Sequence, residues 1–82
     1  MNTSKATVRY GSTVIVRREF TVEPKEYKIL SYTDLSRNIV SIEHPIAKGL
    51  MNHEVGEKVL IDDPRRYYFV EILEIKNLPI NS

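Results

Sequence analysis

The strongest constraint on this chain is a hydrophobic period of two, which recurs in short runs of β-branched and aromatic residues. The longest run covers residues 66–75. Its even and odd positions both carry apolar side chains in the middle of the run, and this pattern predicts a central strand covered on two faces. The chain is therefore expected to be built mainly from β-strands.

Shorter runs of the same character predict four further strands and two hairpins. Residues 26–30 alternate cleanly, with Tyr27 and Ile29 on one face. Pro24 lies just upstream, so the loop of residues 21–25 is expected to join the first two strands as a hairpin. Asp63 and Pro64 supply turn chemistry for a second hairpin before the longest run. The predicted short strands are residues 14–16, 26–30, 39–42 and 59–61.

One segment breaks the period of two and predicts a short helix over residues 45–51. Ile46 and Leu50 are four apart, as are Ala47 and Met51. Pro45 stands at the first helical position, where its missing N–H costs nothing. Two turns of helix are not stable alone in water, so the apolar side must dock on the sheet. The predicted fold is α+β, a small antiparallel β-sheet with one short helix packed on it.

Length and charge limit the classes of function. The 82 residues suffice for one small domain, and 12 basic against 11 acidic residues give a net charge of +1. This charge is too balanced for a domain that binds nucleic acid mainly by charge. Cysteine is absent, which excludes disulfides and thiolate metal sites. No signal peptide or membrane span is visible, so we expect a single cytoplasmic domain over residues 1–82, without metal or cofactor.

Four segments in the same order resemble the C-terminal domain of the GreA/GreB transcript-cleavage factors. The richest one spans residues 41–59, with SIEHPIAKGLM at residues 41–51 and EVGEKV at residues 54–59. Upstream, YGSTV at residues 10–14 and YKIL at residues 27–30 match two strands of that family, and residues 68–75 match its closing strand. The resemblance covers about residues 7–76 and implies an FKBP-like α+β fold.

The resemblance also implies a partner. In that bacterial family the domain docks on RNA polymerase, on the coiled-coil rim of the secondary channel. The main contact is an acidic-Ser-Pro corner before the short helix, which by position is Glu43, His44 and Pro45 here. From the residues alone, His44 is as well explained as a helix N-cap and Pro45 as a helix initiator. The serine of the family pattern has become histidine.

A second departure concerns the N-terminal coiled coil of those factors, which has no counterpart in this chain. Its tip carries the acidic pair that holds a catalytic Mg²⁺ in the polymerase. The resemblance therefore implies a non-enzymatic module, like the Rnk-like relatives, that docks near the secondary channel without stimulating transcript cleavage. Such a module would compete with other channel-binding regulators. The loop of residues 31–37, acidic in the family, has Asp34 as its one acid here.

Two alternatives remain open at this point, an FKBP-like adaptor for another protein and a peptidyl-prolyl isomerase. Isomerisation needs an apolar pocket lined by aromatic rings. Tyr67, Tyr68 and Phe69 are consecutive, so in a strand they divide between two faces and do not all line one pocket.

Other candidate sites are weaker. His44, His53 and Glu54 would form a metal site only by coincidence. Two arginine pairs are expected to lie close together at one edge of the sheet, where they would touch phosphate. Acidic neighbours favour a solvated surface over a nucleic-acid site. The arginines are Arg17, Arg18, Arg65 and Arg66, and the acids are Glu19, Asp62 and Asp63.

Overall fold

The computed structural model describes residues 6–77 and contains one five-stranded sheet, one α-helix and one 3₁₀ turn. The strands are β1 (Thr13–Arg18), β2 (Lys25–Leu30), β3 (Ile39–Ser41), β4 (Lys58–Asp63) and β5 (Arg66–Lys76). The helix α1 spans Pro45–Leu50, and the 3₁₀ turn spans Leu35–Arg37. The α+β fold and both predicted hairpins are confirmed.

The sheet is mixed rather than purely antiparallel as the sequence predicted. Its strand order is β3-β2-β1-β5-β4, and β3 pairs with β2 in parallel. The reason lies in the connection between them. Backbone hydrogen bonds join Asp34 and Ile39 in both directions, at 2.8 and 3.0 Å, and Asn38 has a φ of 58°. The chain therefore turns back after β2 and turns again between Asp34 and Ile39, so that β3 runs beside β2 in the same direction.

The prediction that the longest strand is covered on two faces is wrong. β5 lies between β1 and β4, but only one of its faces is packed. Val70 and Ile72 are buried, whereas Tyr67 and Phe69 on the other face are exposed. The one helix in residues 6–77 lies on the face of Val70 and Ile72, and no second layer from these residues packs against the other face.

A β-bulge changes which residues of β5 face the core. Ile15 pairs with Glu74, but the next residue of β1, Val16, pairs with Ile72. β5 thus holds one extra residue, Leu73, and a bulge of this kind bends the strand and shifts its alternation. Ile72 and Ile75 consequently both pack against the core although they are three residues apart.

The helix closes the core at the β4 side of the sheet. Ala47 and Leu50 are fully buried, and Ile46 and Met51 are partly buried against the same cluster, as their spacing predicted. Gly56 has a positive φ of 95° in the loop that returns the chain to the sheet. The buried cluster consists of Val8, Val14, Val16, Ile29, Val40, Ala47, Leu50, Val59, Ile61, Val70 and Ile72.

The two ends of the described segment meet at one edge of this core. Thr13 at the start of β1 pairs with Lys76 at the end of β5. The side chain of Asn77 hydrogen-bonds to the buried Ser12 hydroxyl, and its Nδ2 donates to the Thr7 carbonyl at 3.4 Å. These contacts hold the first and last described segments side by side.

Candidate functional site

Hydrogen bonds fix the corner between β3 and α1, which carries Glu43, His44 and Pro45 and is called the docking corner below. The amide of His44 donates to the Ser41 carbonyl at 3.0 Å, and the amide of Glu43 donates to the Ser41 hydroxyl at 3.2 Å. The amide of Ser41 in turn donates to the Thr33 hydroxyl at 3.0 Å. The corner is therefore a closed turn with a defined shape.

His44 is the N-cap of α1. Its backbone is extended, and its Nδ1 accepts a hydrogen bond from the amide of Ile46 at 3.1 Å. An accepting Nδ1 carries no proton, so in the neutral ring the N–H lies on Nε2. The side chain thus satisfies one of the free amides at the start of the helix, as serine would in the family pattern. The geometry of the two residues thus agrees with the interpretation of His44 as a helix N-cap and Pro45 as a helix initiator.

Glu43 presents the unpaired charge of the corner. Its side chain is exposed, and it forms no ion pair with any residue in the range 6–77. Pro45 follows at the first helical position, half-buried and without a rotatable side chain. A partner that approaches this corner meets a free carboxylate beside a rigid apolar edge.

A groove begins directly behind the corner, and sequence reasoning missed it. Ile46 lines a cavity of about 250 Å³ together with Tyr27 and Tyr68. Burial raises the pKa of the Tyr68 hydroxyl, and the positive charge of Arg18 partly offsets this effect. Both tyrosines were placed in predicted strands, but nothing in the sequence showed that β2 and β5 would flank β1 and bring the two rings to one groove. The remaining lining is Val16, Arg18, Thr21, Glu23, Pro24, Lys25, Ile61 and Val70.

The groove bears on the isomerase alternative. Tyr68 faces it, while Tyr67 and Phe69 lie on the other face of β5, so the three consecutive aromatic residues divide between faces as predicted. Arg18 also lines the groove, with its guanidinium 4.0 Å from the centre of the Tyr68 ring. Charged side chains thus share the lining with the aromatic rings.

The structure brings together three of the four arginines that were expected at one sheet edge. Arg18, Arg65 and Arg66 line a common cavity of about 440 Å³. Arg17 lies apart from them, because it pairs with Glu71 at 3.1 Å. The expectation that the arginine pairs lie close together therefore holds for three residues.

The histidines lie in different settings. His44 caps α1, whereas the Nδ1 of His53 lies 2.7 Å from Oε1 of Glu57. Across residues 6–77 no group of three or more His, Cys, Asp or Glu side chains is placed to hold a metal ion. No helix in the same range is long and apolar enough to cross a membrane.

Comparison with known proteins decides the family. The model of the family described as "Transcription elongation factor, GreA/GreB, C-term" matches residues 3–77. The chain belongs to this family. It is therefore a module of the kind found in transcription elongation factors, and the resemblance of the four sequence segments is confirmed.

Individual relatives agree with this assignment. Transcription elongation factor GreA of Streptococcus mutans is 37% identical over 75 residues, which are 89% of this chain and 47% of the relative. GreA of Syntrophobacter fumaroxidans is 31% identical over 70 residues, 83% of this chain and 45% of the relative. The chain thus spans about half the length of the curated GreA relatives that it matches.

Solved structures show the same fold. GreA factor homolog 1 (Gfh1) of Thermus thermophilus superimposes with a TM-score of 0.74 at 19% identity, over 90% of this chain and 51% of that chain. The GreA/GreB factor of Nitrosomonas europaea gives a TM-score of 0.68 at 24% identity, over 89% and 62%. The mixed sheet with one short helix is the fold of the GreA/GreB C-terminal domain.

Proposed function

We propose that this GreA/GreB-type domain is a non-enzymatic, cytoplasmic module that binds RNA polymerase at the rim of the secondary channel. As a single unit it docks there and competes with other channel-binding regulators, without stimulating transcript cleavage. The observation that carries the proposal is the docking corner, where a GreA/GreB family member holds an unpaired Glu43 beside Pro45 in a hydrogen-bonded turn.

The chemistry of the corner suits a basic partner helix. Glu43 offers a carboxylate that is solvated in the free domain, where an ion pair contributes little. When an interface closes over the charge, its pairing with an arginine or lysine fixes orientation and contributes to affinity. Pro45 and the turn before it are rigid, so little conformational entropy is lost on binding.

The change from serine to histidine in the corner keeps this geometry. Because Nδ1 of His44 is used by the amide of Ile46, the ring is held against the helix start. Nε2 is therefore the ring nitrogen that is available to hydrogen-bond with a partner. The substitution thus changes the chemistry offered beside Glu43 and keeps the cap.

The test is binding of the purified domain to core RNA polymerase, measured by biolayer interferometry. We expect Glu43→Ala to weaken binding at least tenfold, which corresponds to about 1.4 kcal/mol per factor of ten. Pro45→Ala is expected to weaken it as well. Glu26→Ala is the matched control, because Glu26 is an exposed carboxylate on β2, away from the corner.

The outcomes separate the alternatives. Wild-type binding that persists in Glu43→Ala would contradict the docking corner, and no wild-type binding would contradict polymerase as the partner. An adaptor for another protein would then be sought with the same variants. Turnover of an X-Pro peptide, unaffected by Glu43→Ala and Pro45→Ala, would instead establish the isomerase alternative for the groove behind α1.

A further inference from the structure

The loop after β1 holds an aromatic ring out in solvent. Phe20 is 98% exposed and has a φ of 66°, a conformation that is uncommon for residues other than glycine. The carbonyl of Arg18 accepts two hydrogen bonds that close this turn, from the amide of Thr21 at 3.1 Å and from its hydroxyl at 2.7 Å. The turn thus presents Phe20 at a cost in backbone strain, and no buried contact compensates for it.

Three guanidinium groups lie at the same end of the sheet. Arg18, Arg65 and Arg66 line one cavity, and none of the three forms an ion pair with a residue in the described segment. Asp63 lies among them, but its carboxylate accepts a hydrogen bond from the backbone amide of Arg65 at 2.9 Å. Within residues 6–77, no carboxylate forms an ion pair with these three arginines.

Aromatic rings and arginines share this surface. Phe20, Arg66 and Tyr67 line a cavity of about 420 Å³ that adjoins the arginine cavity through Arg18 and Tyr68. Tyr67 is 68% exposed, so the faces of its ring are accessible to a ligand. We call Arg18, Phe20, Arg65, Arg66 and Tyr67 the aromatic–arginine surface.

We propose that the aromatic–arginine surface binds single-stranded nucleic acid. Exposed rings interleaved with arginines are the combination that binds single strands, because bases stack on the rings while phosphates pair with the guanidinium groups. An acidic peptide would use the arginines but would have no use for the exposed faces of Phe20 and Tyr67. The occupant that uses both features is a single strand.

The acidic residues near the aromatic–arginine surface limit the expected affinity for nucleic acid. The three arginines set an upper limit of about three neutralised phosphates. Glu19 lines the same cavity as Phe20 and Tyr67, and Asp62 pairs with Tyr67 across the β4–β5 hairpin, so their negative charges lower the affinity for phosphate. Binding is therefore expected to be weak, with a dissociation constant of about 10⁻⁴–10⁻⁶ M, and moderately salt-dependent.

The test is fluorescence anisotropy of the full chain with a labelled oligothymidine or oligouridine probe, at several salt concentrations. Three phosphate contacts predict a slope of log K against log salt of about −2, and Arg66→Ala should reduce its size by about 0.7. Phe20→Ala and Tyr67→Ala should each weaken binding by about tenfold and leave the slope unchanged. Both side chains are exposed, so neither change removes core packing.

Two controls keep the result specific. Lys28→Ala removes an exposed cation from β2, and Glu43→Ala alters the docking corner, and both should leave oligonucleotide affinity within twofold of the wild type. Absence of binding at about 50 mM salt would overturn the proposal. So would displacement of the probe by polyglutamate in a manner insensitive to Tyr67→Ala, which would indicate an acidic peptide ligand.

Discussion

At the scale of single residues, His44 links the stability of the domain to the shape of its docking corner. Its ring caps α1 through Nδ1, and its own amide closes the turn after β3. The cap was open to prediction from the sequence, since the position precedes a proline at the start of a helical pattern. Whether the imidazole would reach the amide of Ile46 depended on its rotamer and required the structure.

His44→Ala tests the cap. Loss of the Nδ1 acceptor should lower the free energy of unfolding by about 1 kcal/mol, which for a domain of this size lowers Tm by about 4–8 °C. The measurement is urea denaturation, with His44→Asn as the control because asparagine also caps. Equal stability of His44→Ala and wild type would show that the hydrogen bond contributes nothing in solution.

Glu57 makes the loop after α1 sensitive to acid. A hydrogen bond from His53 and another from the Glu54 amide lower the pKa of the Glu57 carboxyl from its ordinary 4.5. A lowered folded-state pKa contributes stability above pH 4.5, and this contribution is lost as the pH falls through the lower folded value.

Glu57→Gln should therefore flatten the acid limb of the stability curve. We expect the wild type to lose more stability than the variant as the pH falls below about 4.5, and the two curves to run parallel above that pH. Urea midpoints at a series of pH values measure this difference. Identical losses in the two proteins below pH 4.5 would argue against the His53–Glu57 contact.

At the scale of elements, the close approach of α1 to β4 depends on Gly49. A Cβ added at this position would lie 2.6 Å from Cδ1 of Ile61 and 3.1 Å from the Leu60 carbonyl oxygen. Glycine within a helix costs about 0.5–1 kcal/mol relative to alanine. The helix accepts this cost because the contact buries Ala47 and Leu50 against the sheet.

Gly49→Ala should thus destabilise the domain, although alanine is the better helix former. We expect a loss of about 1–3 kcal/mol from overpacking. Ile61→Val removes the Cδ1 atom that the new methyl group would meet. The double variant should therefore lose less stability than the sum of the losses in the two single variants, and a double-mutant cycle measures this difference. Lys48→Ala, at an exposed neighbouring position, is the control. A stabilised Gly49→Ala would contradict the close packing.

The strands and the helix also show which structural features could be predicted from the sequence and which could not. The faces of β2 and the start of α1 followed from local spacing, as Tyr27, Ile29 and Pro45 illustrate. The parallel pairing of β3, the bulge at Leu73 and the exposed outer face of β5 did not. Each depends on which distant segment lies alongside, and a single sequence shows period and turn chemistry but not those long-range pairings.

At the scale of the whole molecule, the two candidate binding regions are separated by the groove behind α1. Ile46, next to the docking corner, lines one part of it, and Arg18, of the aromatic–arginine surface, lines another. The family assignment and the fold could be predicted from four ordered segments. The groove could not, because it combines residues from separate hairpins. The closeness of the arginines was expected from the sequence and holds for Arg18, Arg65 and Arg66.

The adjacency of the first and last described segments has a consequence for engineering. Asn77 contacts Thr7, so a short linker from residue 77 to residue 6 would close the backbone with little distortion. Residues 21–24 are all exposed, and new termini placed between Val22 and Glu23 would interrupt no strand. Circular permutation is thus open to this domain, and a fluorophore could then be attached beside the groove instead of at the edge where residues 6 and 77 meet.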